Sequence, residues 1–380
     1  MKIVISIDSL KGSLTSIEAA NAIKKGILSV DNKSDVVIMP LADGGEGTVE
    51  ALVQGMNGEE KVITVTGPIN EKVNATYGIL KETNTAIIEM AQASGLPLVP
   101  AELRNPLNTT TYGVGEIIKE AIEKGCRNFI VGIGGSATND CGVGMLQALG
   151  FEFYDENDNL VGLGGKVLNQ IKRIKTDNKL KELDECNFKI ACDVNNPLYG
   201  ENGAAYIYGP QKGATEEIVK ELDKGLESFA EVVKKDLGKD IAHIEGAGAA
   251  GGLGFGFLGF LNSKLESGIK IILDEIKLEE VVKDADIVIT GEGRLDNQTA
   301  MGKAPIGVAK LAKKHGAKVI AIAGCTTPDA VKCNEEGIDA YFSIVNKAMT
   351  IDEAMKKENA TQNMIETTIQ IFNLIKAVKN

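Results

Sequence analysis

The chain has 380 residues, 43% of them hydrophobic and 25% charged, which is enough for two domains or one large one with a full core. A net charge of −12 argues against a general nucleic-acid binder, and the absence of Trp with only 4% aromatics leaves little on which bases could stack. Six cysteines with no C-x-x-C pair, and only His243 and His315, support zinc poorly and read as free thiols of a reducing cytosol.

The first strand is expected at Lys2–Ile7, a β-branched run too short for the apolar centre of a signal peptide. No window approaches eighteen apolar residues in a row, so the expected location is cytoplasmic. Thr15 and Glu18 have capping-box spacing ahead of a helix over Ile17–Leu28. Asp35–Met39 is a second strand, running into Pro40-Leu41-Ala42-Asp43-Gly44-Gly45-Glu46-Gly47-Thr48 and a short helix from Val49. This β-loop-α rhythm belongs to a doubly wound sheet.

After about Lys61 the rhythm changes. Val62–Thr66, Val73–Leu80 and Thr85–Met90 are strand-like with no helix between them, an antiparallel pattern. A helix over Thr109–Lys124 follows, then a strand over Asn128–Ile133, a helix over Val143–Leu149 and a turn at Asp155–Asn159. Phe188–Cys192 is a strand, and Thr215–Asp236 a charged amphipathic helix. Beyond a glycine-dense run at Gly246–Gly259, the α/β rhythm returns. It comprises a strand over Ile287–Ile289, a helix over Pro305–His315, a strand over Lys318–Ala323, a helix over Pro328–Glu336, a strand over Ala340–Val345 and a long or broken helix over Thr350–Val378. The two ends of the chain are alike and the middle differs. The expected fold is therefore α/β with two domains. One is a Rossmann-like parallel-sheet domain built from both termini (1–63 and 280–380); the other is an inserted mixed α/β domain (64–279), with the active site in the cleft between them.

In an open parallel sheet, ligands bind beyond the carboxyl ends of the strands. The terminal strands lead into Asp8-Ser9-Leu10-Lys11, Leu41-Ala42-Asp43-Gly44-Gly45, Gly291-Glu292-Gly293-Arg294 and Gly324-Cys325-Thr326-Thr327, so polar residues converge on one edge. The middle adds Gly134-Gly135-Ser136-Ala137-Thr138-Asn139-Asp140, whose N–H groups and hydroxyls suit phosphate oxygens, or else simply cap a helix. It also adds Asp193-Val194-Asn195-Asn196-Pro197, where a carboxylate beside amides can hold Mg²⁺, accept a hydroxyl proton or form an Asx turn. The nearest approach to a P-loop, Asn297–Ala304, fails at its first and last positions. G-x-G-x-x-G occurs at Gly246-Gly248-Gly251 and Gly254-Gly256-Gly259 without a strand before it, and close helix packing accounts for it equally well. There is no G-x-S-x-G, and neither histidine falls in a polar loop. This inventory suits phosphoryl transfer, which needs phosphate donors, a metal and an oriented hydroxyl rather than a protein nucleophile.

Six segments in register resemble the bacterial glycerate kinase family: DSLKGSL (8–14), PLADGGEGT (40–48), GIGGSATNDCGVGML (132–146), ACDVNNPLYGENGAAYIYGPQKGA (191–214), GAGAAGGLGFG (246–256) and TGEGRLDNQTAMGKAP (290–305). The resemblance implies ATP-dependent phosphorylation of D-glycerate with Mg²⁺, of the type giving 2-phosphoglycerate. It implies small-molecule partners, with neither nucleic acid nor membrane. On that footing Arg294 is expected to bind the glycerate carboxylate, with Asp8, Ser9, Asn195 and Asp296 also on the substrate. Lys11 and Lys303 would neutralise the transferring phosphate, and Gly134, Gly135, Ser136, Thr138 and Asn139 would contact nucleotide phosphate. Asp193 is the first choice of general base, and Asp43, Glu292 and Asp296 are the metal candidates. Three rival readings remain open: a non-catalytic anion-binding protein, an NAD-dependent hydroxyacid dehydrogenase suggested by the glycine run, and a kinase of another small hydroxy or sugar acid.

Overall fold

The computed structural model describes residues 1–379, and their contacts divide the chain into two compact units. The first comprises Met1–Asp43, Glu50–Asn57 and Ile269 onward; the second comprises Gly44–Val49 and Gly58–Gly268.

The first unit is built on a five-stranded sheet. Its order in space is Ala340–Ser343, Lys318–Ala323, Ile287–Thr290, Lys2–Ile5, Asp35–Ile38, and every pair is parallel. Ile3, Val4, Ile5, Val288, Ile289, Val319 and Ile322 are fully buried, which is why these strands read as unbroken apolar runs rather than as alternation. Counted along the chain, the strands lie fifth, fourth, third, first, second. The chain therefore winds outward in opposite directions from the first and third strands, and the loops leaving those two diverge at a topological switch point. Helix Ser16–Val30 covers one face together with the C-terminal helix Lys357–Lys379, through Ala19, Ile23 and Ile27 against Met364, Ile371 and Phe372. The capping box at Thr15 and Glu18 is formed as the sequence suggests. Of the two forms expected for the C-terminal helix, the broken one is found: Ile351–Met355 is a separate turn, and Lys356 is extended.

Hydrogen bonding outlasts the first strand. Its regular part ends at Ile5, short of the expected Ile7, yet Ser6 N donates to Ile289 O (2.8 Å) and Asp8 N to Gly291 O (2.9 Å). The two loops beyond the switch point are thus tied together at the backbone. A short parallel ribbon, Arg294–Leu295 with Cys325–Thr326, likewise ties the third loop to the fourth. Glycine is needed where they cross. A Cβ on Gly291 would lie 1.8 Å from Ile322 O, and one on Gly324 would lie 2.5 Å from Gly293 O.

The second unit carries a six-stranded mixed sheet in the order Ser263–Glu266, Asn187–Ala191, Asn128–Gly132, Thr85–Glu89, Lys72–Leu80, Glu59–Thr66. The first four strands pair in parallel and the last three are antiparallel, matching the change of rhythm after Lys61. Phe129 and Phe188 face each other across two strands with ring centroids 4.5 Å apart, within a core that also holds Phe153, Phe229 and Phe257. The helix expected from Thr109 begins at Tyr112, because the preceding threonines have other partners. Thr109 Oγ1 donates to Ala137 O (2.8 Å), and the Thr111 N–H and hydroxyl both go to Asp140.

The glycine run forms helix Ala249–Phe260, with Ala250, Gly251 and Gly252 in left-handed conformation. A Cβ on Gly251 would sit 2.0 Å from Thr138 O, and one on Gly254 would sit 2.3 Å from Gly246 O. Close backbone packing accounts for these glycines. Among the described residues no helix is long and apolar enough to cross a membrane, and all six cysteines are free thiols.

Candidate active site

A cavity of about 600 Å³ opens in the first unit beyond the carboxyl ends of its strands, at the switch point. The first loop supplies Asp8, Ser9, Leu10, Lys11 and Ser13, the second strand's loop Asp43, and the third Glu292, Gly293, Arg294 and Asp296, with Lys303 beyond them. The fifteen residues predicted from sequence to act are therefore divided by the fold: Asp8, Ser9, Lys11, Asp43, Glu292, Arg294, Asp296 and Lys303 line this one cavity, while Gly134, Gly135, Ser136, Thr138, Asn139, Asp193 and Asn195 lie in the other unit.

Asp8 is the most enclosed carboxylate of the group. Its Oδ1 accepts from the Ser9 N–H at 2.7 Å. Burial first, and the negative charge of Asp43 second, push its carboxyl up to about 7; the Ser9 N–H and Lys11 pull the other way, and Glu292 adds a smaller upward push. Lys11 Nζ stands 3.9 Å from Asp43 Oδ2, and both side chains keep access to solvent. This loose pair leaves the ammonium open to a ligand anion.

The segment 292–299 folds around Thr299, which is fully buried. Its hydroxyl donates to Glu292 Oε1 at 2.6 Å and accepts from the Asp296 N–H at 3.1 Å. Burial raises the Glu292 carboxyl above its ordinary range, opposed by the Thr299 hydroxyl and Lys303. Asp296 caps the short helix Asn297–Ala300: Oδ1 accepts from the Gln298 and Thr299 N–H groups, and Oδ2 from Arg294 Nε at 3.0 Å. Burial pushes its carboxyl up, but those two N–H groups, then Lys303 and Arg294, hold it below the usual carboxylate range. Arg294 is 61% exposed and committed through Nε alone among the described residues, so its two terminal amino groups remain for a ligand carboxylate. Thr299 was given no role from the sequence. Its only signal there was the spacing Asp296-x-x-Thr299, a capping box with threonine in the place of Glu or Gln.

In the second unit, Gly134 and Gly135 are exposed at the tip of the loop after strand Asn128–Gly132, and Gly135 takes a positive φ of 74°. Ser136, Thr138, Asn139 and Asp140 are buried behind them. Asp140 is the hub. Its Oδ2 accepts from Thr111 N (2.8 Å), Thr111 Oγ1 (2.9 Å) and Gly144 N (3.3 Å), and its Oδ1 from Gly142 N (3.3 Å). Burial raises its carboxyl, and these donors oppose the rise. Lys212, also buried, donates from Nζ to Ser136 Oγ (2.7 Å) and to Thr138 O (2.6 Å), pinning the loop from behind. Burial lowers its ammonium to about 7, with Asp140 pulling it back up. Lys212 was given no role from the sequence. Its one signal was its place in the G-P-Q-K-G-A segment. Thr138 Oγ1 and both amide atoms of Asn139 are buried without a protein partner. Asp193 and Asn195 are exposed, and Asp193 Oδ1 accepts from the Gly268 N–H at 3.1 Å.

A mixed α/β chain with a switch-point cavity that gathers carboxylates and only loosely or partly paired cations fits the class of enzymes that act on small anions. The family is narrower. Residues 3–376 match the model of the glycerate kinase family. The chain is 51% identical over 356 residues to glycerate 2-kinase of Escherichia coli, covering 94% of this chain and 93% of that one. It is 49% identical over 367 residues to a glycerate kinase of Halalkalibacterium halodurans, covering 95% and 97%. A crystal structure assigned as glycerate kinase 2 from Salmonella typhimurium LT2 superposes with a TM-score of 0.93 at 44% identity, covering 100% of this chain and 99% of that one. The chain belongs to the glycerate kinase family, kinases that phosphorylate glycerate with ATP as donor.

Proposed function

We propose that this chain transfers the γ-phosphoryl group of ATP to the 2-hydroxyl of D-glycerate, in the cytoplasm. The observation that carries the substrate assignment is Arg294: a guanidinium that lines the open cavity, is oriented by Asp296 through Nε alone, and keeps its two terminal amino groups for a ligand. It takes the glycerate carboxylate, with Ser9 on a hydroxyl. Lys11 and Lys303 neutralise the phosphoryl group in transfer. By their chemistry, the N–H groups of the exposed Gly134 and Gly135 in the second unit also suit a phosphate, with Ser136, Thr138 and Asn139 shaping the loop behind them.

Among the described residues no three His, Cys, Asp or Glu side chains form a ready metal cage. Mg²⁺ is commonly held by one or two carboxylates together with substrate phosphates, and Asp43 and Glu292 suit that sparser role. Both oxygens of Asp296 already have donors, which makes it an orienting group for Arg294. The ion would supply charge neutralisation on the phosphates. Asp8 is placed to accept the hydroxyl proton, being the enclosed carboxylate beside Lys11 with one oxygen held only by Ser9. Asp193, favoured for that role on sequence, is the alternative.

Phosphorus NMR of the product from D-glycerate and ATP with Mg²⁺ tests the reaction; 2-phosphoglycerate is expected, and the 3-isomer would overturn the regiochemistry. Asp8→Asn is expected to lower kcat at least ~100-fold. A near-normal kcat, with the loss appearing in Asp193→Asn instead, would move the base to Asp193.

A further inference from the structure

The cavity of the first unit has two unlike walls. The polar wall is the one described above. The rest of the lining is apolar: Ile344 and Val345 from just beyond the last strand, Met349 from the loop after it, and Ile351, Ala354 and Met355 from the single turn Ile351–Met355. Three of these side chains are left open, Ile351 at 76%, Met355 at 42% and Val345 at 39% exposure. Glycerate has no use for them. It is a three-carbon acid with a polar group on every carbon, and a cavity of about 600 Å³ is of the size that holds a much larger ligand.

The wall is a built feature. Thr350 closes a capping box with Glu353, fixing the turn. Ser343 Oγ donates to Gly324 O at 3.1 Å and accepts from Val345 N at 3.1 Å, fixing the strand end. Gly12, at a φ of 77°, lets the Lys11 loop close on the methionine: a Cβ there would lie 2.8 Å from Met355 Cε. Methionine and isoleucine lining the same cavity as two lysines and an arginine suit a ligand that is flat and apolar at one end and anionic at the other.

We propose that Val345, Met349, Ile351 and Met355 form the subsite for the adenine base of ATP, with the triphosphate running from there toward Lys11 and Lys303. This rests on the kinase reading above, because the donor is the one reactant with an apolar face. Methionine side chains adapt to either face of a purine, and the aliphatic wall stands in for the aromatic residues this chain scarcely has.

Two measurements test it. In the double variant Met349→Ser/Ile351→Ser, KM for ATP is expected to rise about tenfold or more, while KM for glycerate stays within about twofold. Calorimetry with inorganic tripolyphosphate, which lacks the base, is expected to show equal affinity for variant and parent. An unchanged KM for ATP, or a rise confined to glycerate, overturns the proposal. The second measurement uses the unaltered protein, so it survives a variant that fails to fold. Photolabelling with 8-azido-ATP, followed by peptide mapping, is expected to mark residues between 344 and 355, and competition by ATP should suppress the label. A label found only elsewhere overturns the subsite. Absence of ADP release with glycerate would instead overturn the kinase reading, and the photolabel map would still decide the subsite.

Discussion

The two polar clusters of this molecule use the same residue types in opposite ways. In the first unit Lys11, Arg294 and Lys303 stand in an open cavity with their carboxylate partners distant, shared or already engaged. In the second unit Lys212 and Asp140 are sealed, and the hydrogen bonds around them are internal. Ion pairs open to water contribute little to stability, so the first set can be spent on ligands at small cost to the fold. A buried charge that loses its donors is expensive, so the second set fixes a loop and cannot move. A charge that looks available on the page of a sequence is available only when its surroundings leave it unsatisfied.

Three experiments can break or sharpen that contrast. Asp140→Ala should have the largest effect. It strands the Thr111, Gly142 and Gly144 donors in the core and is expected to cost about 3–5 kcal/mol in urea unfolding. A cost under about 1 kcal/mol would show that the hub does not hold the loop.

Lys212 should be visible in the pH dependence of stability. Its folded ammonium titrates near 7, against the ordinary 10.5. Between those values the unfolded chain holds the proton and the folded chain has lost it, so stability should rise with pH across that window, by up to about 1.4 kcal/mol per pH unit. Below the folded value the penalty for burying the charge is fully present. Subtracting the curve of Lys212→Met isolates this term from the cysteines and tyrosines that titrate nearby. A flat difference curve would mean that Lys212 stays charged through the range.

Arg294→Lys should have the smallest effect on the fold and a specific effect on function. The residue is exposed, so the unfolding midpoint should hardly move. Loss of the planar fork should raise KM for glycerate about tenfold while KM for ATP is unchanged. An unchanged glycerate titration would remove Arg294 from the carboxylate site.

The sequence was read well where a local cause dominates. Apolar runs became parallel strands because both faces of the first sheet are covered, and the antiparallel stretch was marked by strands with no room for a crossover. The Thr15 capping box formed because its partners are three residues apart. Errors fell where a distant partner intervened. Thr109–Thr111 were claimed by Ala137 and Asp140 instead of opening a helix.

Site residues divide along the same line. Composition, strand order and the six shared segments by themselves pointed to phosphoryl transfer on a small acid and to the loops that carry Asp8, Lys11, Asp43, Glu292, Arg294 and Lys303. Only the tertiary structure decided which charges remain free. Asp296 looks like its neighbours in sequence, yet both its oxygens are taken, and Lys212 looks like solvent-facing lysine, yet it lies in the core behind Ser136. Nor could the sequence announce the apolar wall at 344–355. Its residues have the composition of an ordinary core, and only packing decides that three of them are left uncovered. Residue type sets what a group can do, whereas desolvation and the position of its partners, both properties of the folded chain, set whether it is free to do it.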